Sequence, residues 1–202
     1  MNTGFIKYLV VHSGFLFRIL RASLDIFVTN DFQQKARNKG VVDIQWPLYM
    51  KGGKYVIVGD HFRTGPGFRC ECIDYYYGST YYPELNMGDY VSFGYHCHIG
   101  CVNKIIIGNY VLLGSNILIT DHNHGHFSEE EKDIPWVQRE LYTKGPVIIE
   151  DNVWVGDNVV ILSGVTIGRG SVIGANSVVT KSIPAYSMAI GSPAKVIKGL
   201  SL

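Results

Sequence analysis

Residues 149–179 read IEDNVWVGDNVVILSGVTIGRGSVIGANSVV, and every sixth one is Ile or Val: Ile149, Val155, Ile161, Ile167, Ile173 and Val179. Glycine follows at Gly156, Gly168 and Gly174. A period of six is neither that of a helix nor that of a flat strand. A fixed short repeat of this kind marks a β-helix, in which each hexad is one face of a coil and three hexads, about 18 residues, make one triangular turn. The first position of each hexad points inward and stacks on its equivalents, so it is aliphatic. The next lies at a tight corner and is small, and Asp, Asn or Gly after it suits turn backbone angles.

Working outward, the same grammar starts at Val58 with VGDHFR, TGPGFR and CECIDY, and resumes at Met87 with MGDYVS, FGYHCH and IGCVNK. Two extra residues follow, Ile105 and Ile106, and then IGNYVL, LGSNIL and ITDHNH. Three stretches break the pattern: an aromatic insertion at 76–86, a long insertion at 125–148, and a C-terminal tail containing Pro184 and Pro193. Regular coils are rigid scaffold, and insertions on a solenoid tend to carry function. Residues 1 to about 37 differ again. Phe5, Leu9, Phe15, Ile19, Leu20, Ile26 and Phe27 recur at roughly helical spacing around Lys7, Arg18 and Arg21. That reads as one or two amphipathic helices. The expected organisation is a helical cap over residues 1–40, packed on the open end of the coils, and a β-helix domain over 41–202. The other reading of the helical segment, residues 1–30, is a peripheral contact with a membrane surface.

Bulk properties exclude several classes. A formal charge of +1 lacks the basic excess of a nucleic-acid binder. With 17% charged residues, 47% hydrophobic residues and 23 glycines, the chain is turn-rich and too apolar for disorder. Cys70, Cys72, Cys97 and Cys101 contain no CxxC pair, which is a poor zinc pattern and a poor disulfide framework. Buried free thiols in a reducing cytosol are expected. No signal-peptide pattern opens the sequence, and Lys7, His12, Arg18 and Arg21 interrupt its longest apolar stretches. The expected location is the cytoplasm, at the inner face of the membrane in the membrane-contact reading.

The hexads, ITDHNHGH (119–126), VWVGDNVVILSGVTIGRGSVIGANSVVTKSIP and the tail AIGSPAKVIK together resemble the hexapeptide-repeat acyltransferases. Within that family the chain looks like the galactoside and maltose O-acetyltransferase branch, and is most similar to acetyltransferases of capsule, O-antigen and exopolysaccharide biosynthesis. The resemblance covers residues 58–198. It implies an all-β fold, a left-handed parallel β-helix, with a homotrimeric assembly and active sites between subunits. It implies acetyl-CoA as co-substrate, no required metal, and a saccharide acceptor, lipid-linked in the membrane-contact reading.

Acetyl transfer from a thioester to a hydroxyl needs a base, an oxyanion donor and two positioned substrates. Histidine is the natural base near neutral pH. Three of the chain's seven histidines, His122, His124 and His126, sit in DHNHGH where a coil meets the long insertion. The family's T-x-H falls on Thr120-Asp121-His122, which makes His122 the implied general base, with Asp121, Asn123 or His124 to orient it. Two other readings stay open: a metal site, since alternation would put the three rings on one side of an extended strand, and an ordinary polar loop. The resemblance places Trp154 beside the thioester, and CoA contacts at Asp157, Ala175, Thr180, Lys181, Lys195 and Lys198. Gly174 and Ala175 are small enough to let a pantetheine lie against backbone, and the lysines would meet phosphates as point charges. On the acceptor side the family's Asn has no counterpart. His96, His98 and Asn103 are the nearby polar candidates, with Asp121 and His124. Tyr75, Tyr76, Tyr77, Tyr81 and Tyr82 suit either stacking on sugars or packing over a coil.

The expected activity is O-acetylation of a sugar in cell-surface polysaccharide biosynthesis, by direct attack without an acetyl-enzyme. The alternatives are N-acetylation of an amino sugar, a zinc enzyme like the γ-carbonic anhydrases, and a binding β-helix without catalysis.

Overall fold

A computed structural model describes residues 3–199, with side-chain surroundings from Phe15 onward. Phe5 and Leu9 of the N-terminal apolar pattern lie outside those described side chains. One helix, α1 (Thr3–Lys35), leads into a parallel β-helix of six coils with three faces. In each coil the chain runs along face A, then B, then C.

The inward positions stack in columns. On face A the column is Val58, Met87, Ile107, Ile149 and Ile167. On face B it is Ile44, Thr64, Phe93, Leu113, Val155, Ile173 and Ala189. On face C it is Met50, Cys70, Ile99, Ile119, Ile161 and Val179. Neighbouring strands stand about 4.8 Å apart, so each side chain rests on the one below and water is excluded along the axis. The four cysteines are free and buried among them.

Two corners are tight. Between faces A and B, the Asp60 N–H donates to Asp89 Oδ1 (2.7 Å), the Asp89 N–H to Asn109 Oδ1 (2.9 Å), and the Asn109 N–H to Asp151 Oδ1 (2.7 Å). His61, Tyr90, Tyr110 and Asn152 then take a left-handed backbone with φ of 56° to 57°. Between faces B and C, the Ser115 N–H donates to Asp157 Oδ1 (2.7 Å), and His96, Asn116, Asn158 and Asn176 turn the chain with positive φ. Asparagine tolerates that conformation better than most residues, which explains its place in the repeat. Gly88 shows why the residue before it is small: a Cβ there would sit 2.5 Å from Asn109 Oδ1 and 2.8 Å from the Gly108 backbone.

The third corner, between faces C and A, carries both insertions. The aromatic insertion ends at Pro83 rather than residue 86, because Glu84–Met87 is a face A strand with Leu85 in the core. The long insertion likewise ends before Val147–Ile149, the next face A strand. Ile105 is not an extra residue. It pairs with Leu85 and Val147 in the core, and the added length sits at Val102–Asn103, just past Cys101.

The ends are closed differently. The first coil begins at Arg37–Asn38, ahead of the recognisable hexads, and pairs with Ile57–Val58. Val28, Phe32 and Ala36 of the helical segment enter the core there, with Phe32 stacked on Phe62 at 5.7 Å. Thr29 Oγ1 accepts from the Ile44 N–H (3.0 Å) and donates to its carbonyl (3.1 Å), which satisfies an edge strand that would otherwise be open. At the far end Ser187–Ile190 extends face B and Lys195–Gly199 folds back antiparallel on it.

Candidate active site

The C–A corner builds one unusual cluster. Asp121 follows Ile119 by two residues, so it points inward at a position that Cys72, Cys101 and Ser163 occupy in neighbouring coils. It is fully buried. Its carboxylate accepts the backbone N–H groups of Val102 (2.9 Å), Asn103 (2.8 Å) and Lys104 (2.8 Å), and the Cys101 thiol lies 3.5 Å away. The two added residues at 102–103 present those amides to it. Three amide donors compensate the lost hydration of a buried carboxylate. The same Oδ1 that binds Val102 lies 3.1 Å from His122 Nδ1. Thr120 Oγ1 is 3.3 Å from that nitrogen. The His122 side chain is 11% exposed. A neutral imidazole that donates Nδ1–H to a carboxylate keeps its lone pair on Nε2. Gly100 leaves space for the ring: a Cβ there would be 3.1 Å from His122 Cε1.

His122 opens onto a groove of about 480 Å³ along the outer side of face C. Register places Lys51, Glu71, Gly100 and Thr120 in one outward row and Arg69, His98 and Leu118 in the next. Glu71 accepts from Arg69 Nε and lies 3.0 Å from His98 Nε2. Burial pushes the Glu71 carboxyl up, but Arg69 and His98 outweigh it and hold it below the usual range. Burial and the Arg69 charge push His98 below its ordinary value despite Glu71. Burial and then the neighbouring His122 do the same to His124.

The two insertions wall the groove together. Tyr76 OH donates to the Val137 carbonyl (2.9 Å), Ser79 Oγ to Glu140 (2.6 Å), and the Leu141 N–H to Tyr81 OH (2.7 Å). Tyr76 and Tyr81 therefore bind the loop, while Tyr75, Tyr77 and Tyr82 stay exposed. The loop is braced from within by Arg139, buried, which donates to the carbonyls of Ile134 (2.9 Å) and His126 (2.8 Å) and lies 3.6 Å over the Trp136 ring. Glu131 accepts the His126 N–H (2.6 Å), so one residue of the acidic run is structural. Beside the groove, Tyr76, His124, Phe127, Trp136 and Val137 line a more apolar cavity of about 590 Å³.

His124 is on that wall, its ring 6.5 Å from His122 and 5.3 Å from Tyr76. His126 turns away onto Tyr142 at 3.8 Å, so the three rings do not converge. Among the described residues no group of three His, Cys, Asp or Glu side chains within the one chain could hold a metal ion. His98 faces the groove. His96 does not: it turns the exposed B–C corner, its ring against Gly67. Asn103 contributes its backbone N–H to Asp121.

The residues assigned to CoA lie elsewhere in the chain. Trp154 is exposed on face B, between Leu112 and Val172. Asp157, Gly174 and Ala175 are at the B–C corner, and Asp157 holds the Ser115 amide there. Thr180 and Lys181 are exposed beyond the last face C strand, and Lys195 and Lys198 are exposed on the final strand. None lines the His122 groove. Sequence reading missed Glu71, Arg69 and Gly100. The signal was present in FRCEC, where Phe68, Cys70 and Cys72 point inward and Arg69 and Glu71 outward. The four thiols offer no nucleophile. All are buried; burial pushes Cys97 up to about 11, and Cys101 is pushed up by a hydrogen bond with the Cys72 thiol, by burial and by Asp121.

The bacterial transferase hexapeptide (six repeats) family matches residues 146–181. WbbJ of Escherichia coli K12, named for O-acetyl transfer in lipopolysaccharide biosynthesis, is 34% identical over 184 residues, covering 89% of this chain and 87% of WbbJ. The crystal structure of a maltose O-acetyltransferase from Clostridium difficile 630 is 28% identical, with a TM-score of 0.56 over 85% of this chain and 73% of that one. A mutant of AntD, an N-acyltransferase from Bacillus cereus solved with dTDP-4-amino-4,6-dideoxyglucose and coenzyme A, has a TM-score of 0.68 at 18% identity, covering 86% and 89%. That likeness is one of fold, the left-handed parallel β-helix.

Proposed function

Because the chain belongs to the hexapeptide-repeat acyltransferases and is an acetyltransferase of that family, we propose that it moves an acetyl group from acetyl-CoA to a sugar hydroxyl in the building of a cell-surface polysaccharide. The observation that carries this reading is the buried Asp121 carboxylate against His122 Nδ1, which directs a basic Nε2 into the groove. His122 takes the hydroxyl proton as the acceptor oxygen attacks the thioester carbonyl, and the CoA thiolate leaves. Attack is direct, since the four cysteines are buried away from the groove. Glu71, His98 and Arg69 hold the acceptor, with the insertion as its wall. WbbJ's name supports an oxygen acceptor.

The site is assembled between copies. Trp154 and His122 lie on different sides of the prism, so a shared site needs His122 from one chain and Trp154 from the next. A homotrimer supplies such contacts cyclically.

The test measures thiol release from acetyl-CoA with a panel of saccharides, and product structure by mass spectrometry. His122→Ala is expected to lose about 10²–10⁴-fold in kcat. Retained turnover would remove His122 as the base, and an amide product would replace the hydroxyl acceptor with an amine. Mixing His122→Ala with Trp154→Ala chains during refolding is expected to restore about one quarter of wild-type activity, the fraction of interfaces with both residues intact in a cyclic assembly. No recovery beyond the two single variants would place both residues in separate sites.

A further inference from the structure

Among the described residues, the body of the β-helix holds α1 by its last turns. Asp25 Oδ1 accepts the Trp46 N–H (2.7 Å), Thr29 pairs with Ile44, and Val28, Phe32 and Ala36 enter the core. Before Asp25 the helix continues for 22 residues from Thr3, about 33 Å at 1.5 Å per residue. Residues Phe15–Leu20 are all exposed. Consecutive helical residues are about 100° apart, so six of them pass every side of the helix. No side of this stretch is covered, and five of the six are large and apolar: Phe15, Leu16, Phe17, Ile19 and Leu20. Ile26 and Phe27 continue the apolar surface at 64% and 69% exposure.

We propose that α1 is a membrane-surface anchor whose Phe15–Phe27 stretch seats the enzyme on an anionic bilayer. Charge selects this occupant. Residues 1–24 contain Lys7, Arg18 and Arg21 and no Asp or Glu. Subtracting that +3 from the formal +1 of the whole chain leaves −2 for residues 25–202. The helix up to Asp25, which pairs with Arg21 at 3.3 Å, is thus net positive in an almost neutral protein and carries the uncovered Phe15–Leu20 stretch, a pairing that suits acidic headgroups. Among the described residues no helix is long and apolar enough to cross a membrane, and Lys7, Arg18 and Arg21 interrupt the apolar run of α1, which suits a helix lying in the headgroup layer. The proposal does not depend on the reading of the His122 groove.

The full chain is floated on a density gradient with vesicles of phosphatidylethanolamine and phosphatidylglycerol, and separately with vesicles of phosphatidylcholine alone. Most of the wild-type protein is expected to rise with the anionic vesicles and little with the neutral ones, and high salt should reduce the bound fraction several-fold. The triple variant Phe15→Ser, Leu16→Ser and Leu20→Ser is expected to lose at least tenfold in vesicle binding. Its thermal midpoint and its turnover of a water-soluble saccharide should be unchanged. Wild-type protein that stays at the bottom of the gradient overturns the anchor. So does flotation indifferent to lipid charge, or a triple variant that floats like wild type. A triple variant with an altered mass by light scattering assigns the stretch to contacts between copies instead, and also overturns it.

Discussion

The A–B corner and the C–A corner face the same task, turning a strand through the angle of a triangular prism, and meet it with opposite chemistry. At the A–B corner a side-chain oxygen accepts the backbone amide at the same corner of the coil before it, once each at Asp89 and Asn109, and the pattern recurs from Asp60 to Asp151. His61, Tyr90 and Tyr110 stack along its outside at 4.6 Å and 4.9 Å. At the C–A corner one carboxylate, Asp121, takes three amides and a histidine, and both insertions leave from there. Repetition makes a corner stable and chemically idle. A charge placed where the repeat has none must be satisfied by irregular backbone, and irregular backbone is what opens a groove and aims a ring.

The sharpest way to break this contrast is to remove one carboxylate from each corner. Asp121→Ala strands three buried amides and the histidine, at a cost of about 3–5 kcal/mol. Asp121→Asn keeps the volume and part of the bonding. It is expected to lower kcat by about 10²–10³-fold, because Asn can present an N–H to Nδ1 and turn the wrong tautomer toward the groove. KM for acetyl-CoA should stay within about twofold, since only the base is misdirected. Asp89→Ala loses one amide bond, costing about 1 kcal/mol, with kcat unchanged. Chemical denaturation and steady-state kinetics on the three variants decide it. If Asp121→Asn turns over like wild type, the two corners differ only in shape.

A smaller effect is expected from the arginines. Arg139 is buried and holds the insertion through two of its own carbonyls and the Trp136 ring. Arg169 at the A–B corner is exposed, with Asp151 4.0 Å away. Arg139→Gln should cost about 2–3 kcal/mol locally, seen as faster proteolytic nicking within 126–138, and raise the acceptor KM roughly tenfold while sparing acetyl-CoA. Arg169→Gln should change stability by less than about 0.5 kcal/mol. An Arg139 variant cleaved no faster than wild type would show that the loop is held by Tyr76 and Tyr81 instead.

The same contrast explains what could be read in the sequence. The inward columns were legible because packing admits little besides Ile, Val, Leu and small residues there, and the A–B and B–C corners because left-handed turns select Asn, Asp and Gly. His122 and its neighbour Asp121 stood out only where that grammar stopped. The misplacement of the extra residues at Ile105 and Ile106 has the same root: both are β-branched and apolar, and spacing alone cannot tell a core strand from an inserted pair. Glu71 and Arg69 were hidden because outward positions carry no period, and what brings Glu71 to His98, 27 residues on, is the register of their two strands. Trp154 could not be joined to His122 by any spacing, since one chain does not bring them together.

The smallest effect belongs to His98, and it asks whether the groove is linked to protons through its own residues. Burial and Arg69 lower its pKa from the ordinary 6.5, so the folded chain binds that proton less readily than the unfolded one. The sign follows: the stability is present above pH 6.5 and is lost as pH falls below it toward the lower folded value. His98 is one-third exposed and paired with Glu71, so solvent screening keeps the contribution under about 1 kcal/mol. His98→Asn can still meet Glu71 but does not titrate. Its thermal midpoint should therefore fall less than that of wild type between pH 7.5 and pH 5.5 on the order of a degree or two, with His96→Asn at the B–C corner as the matched change. Parallel melting curves for His98→Asn and wild type would mean that the proton linkage of the groove resides in the other histidines of the C–A corner.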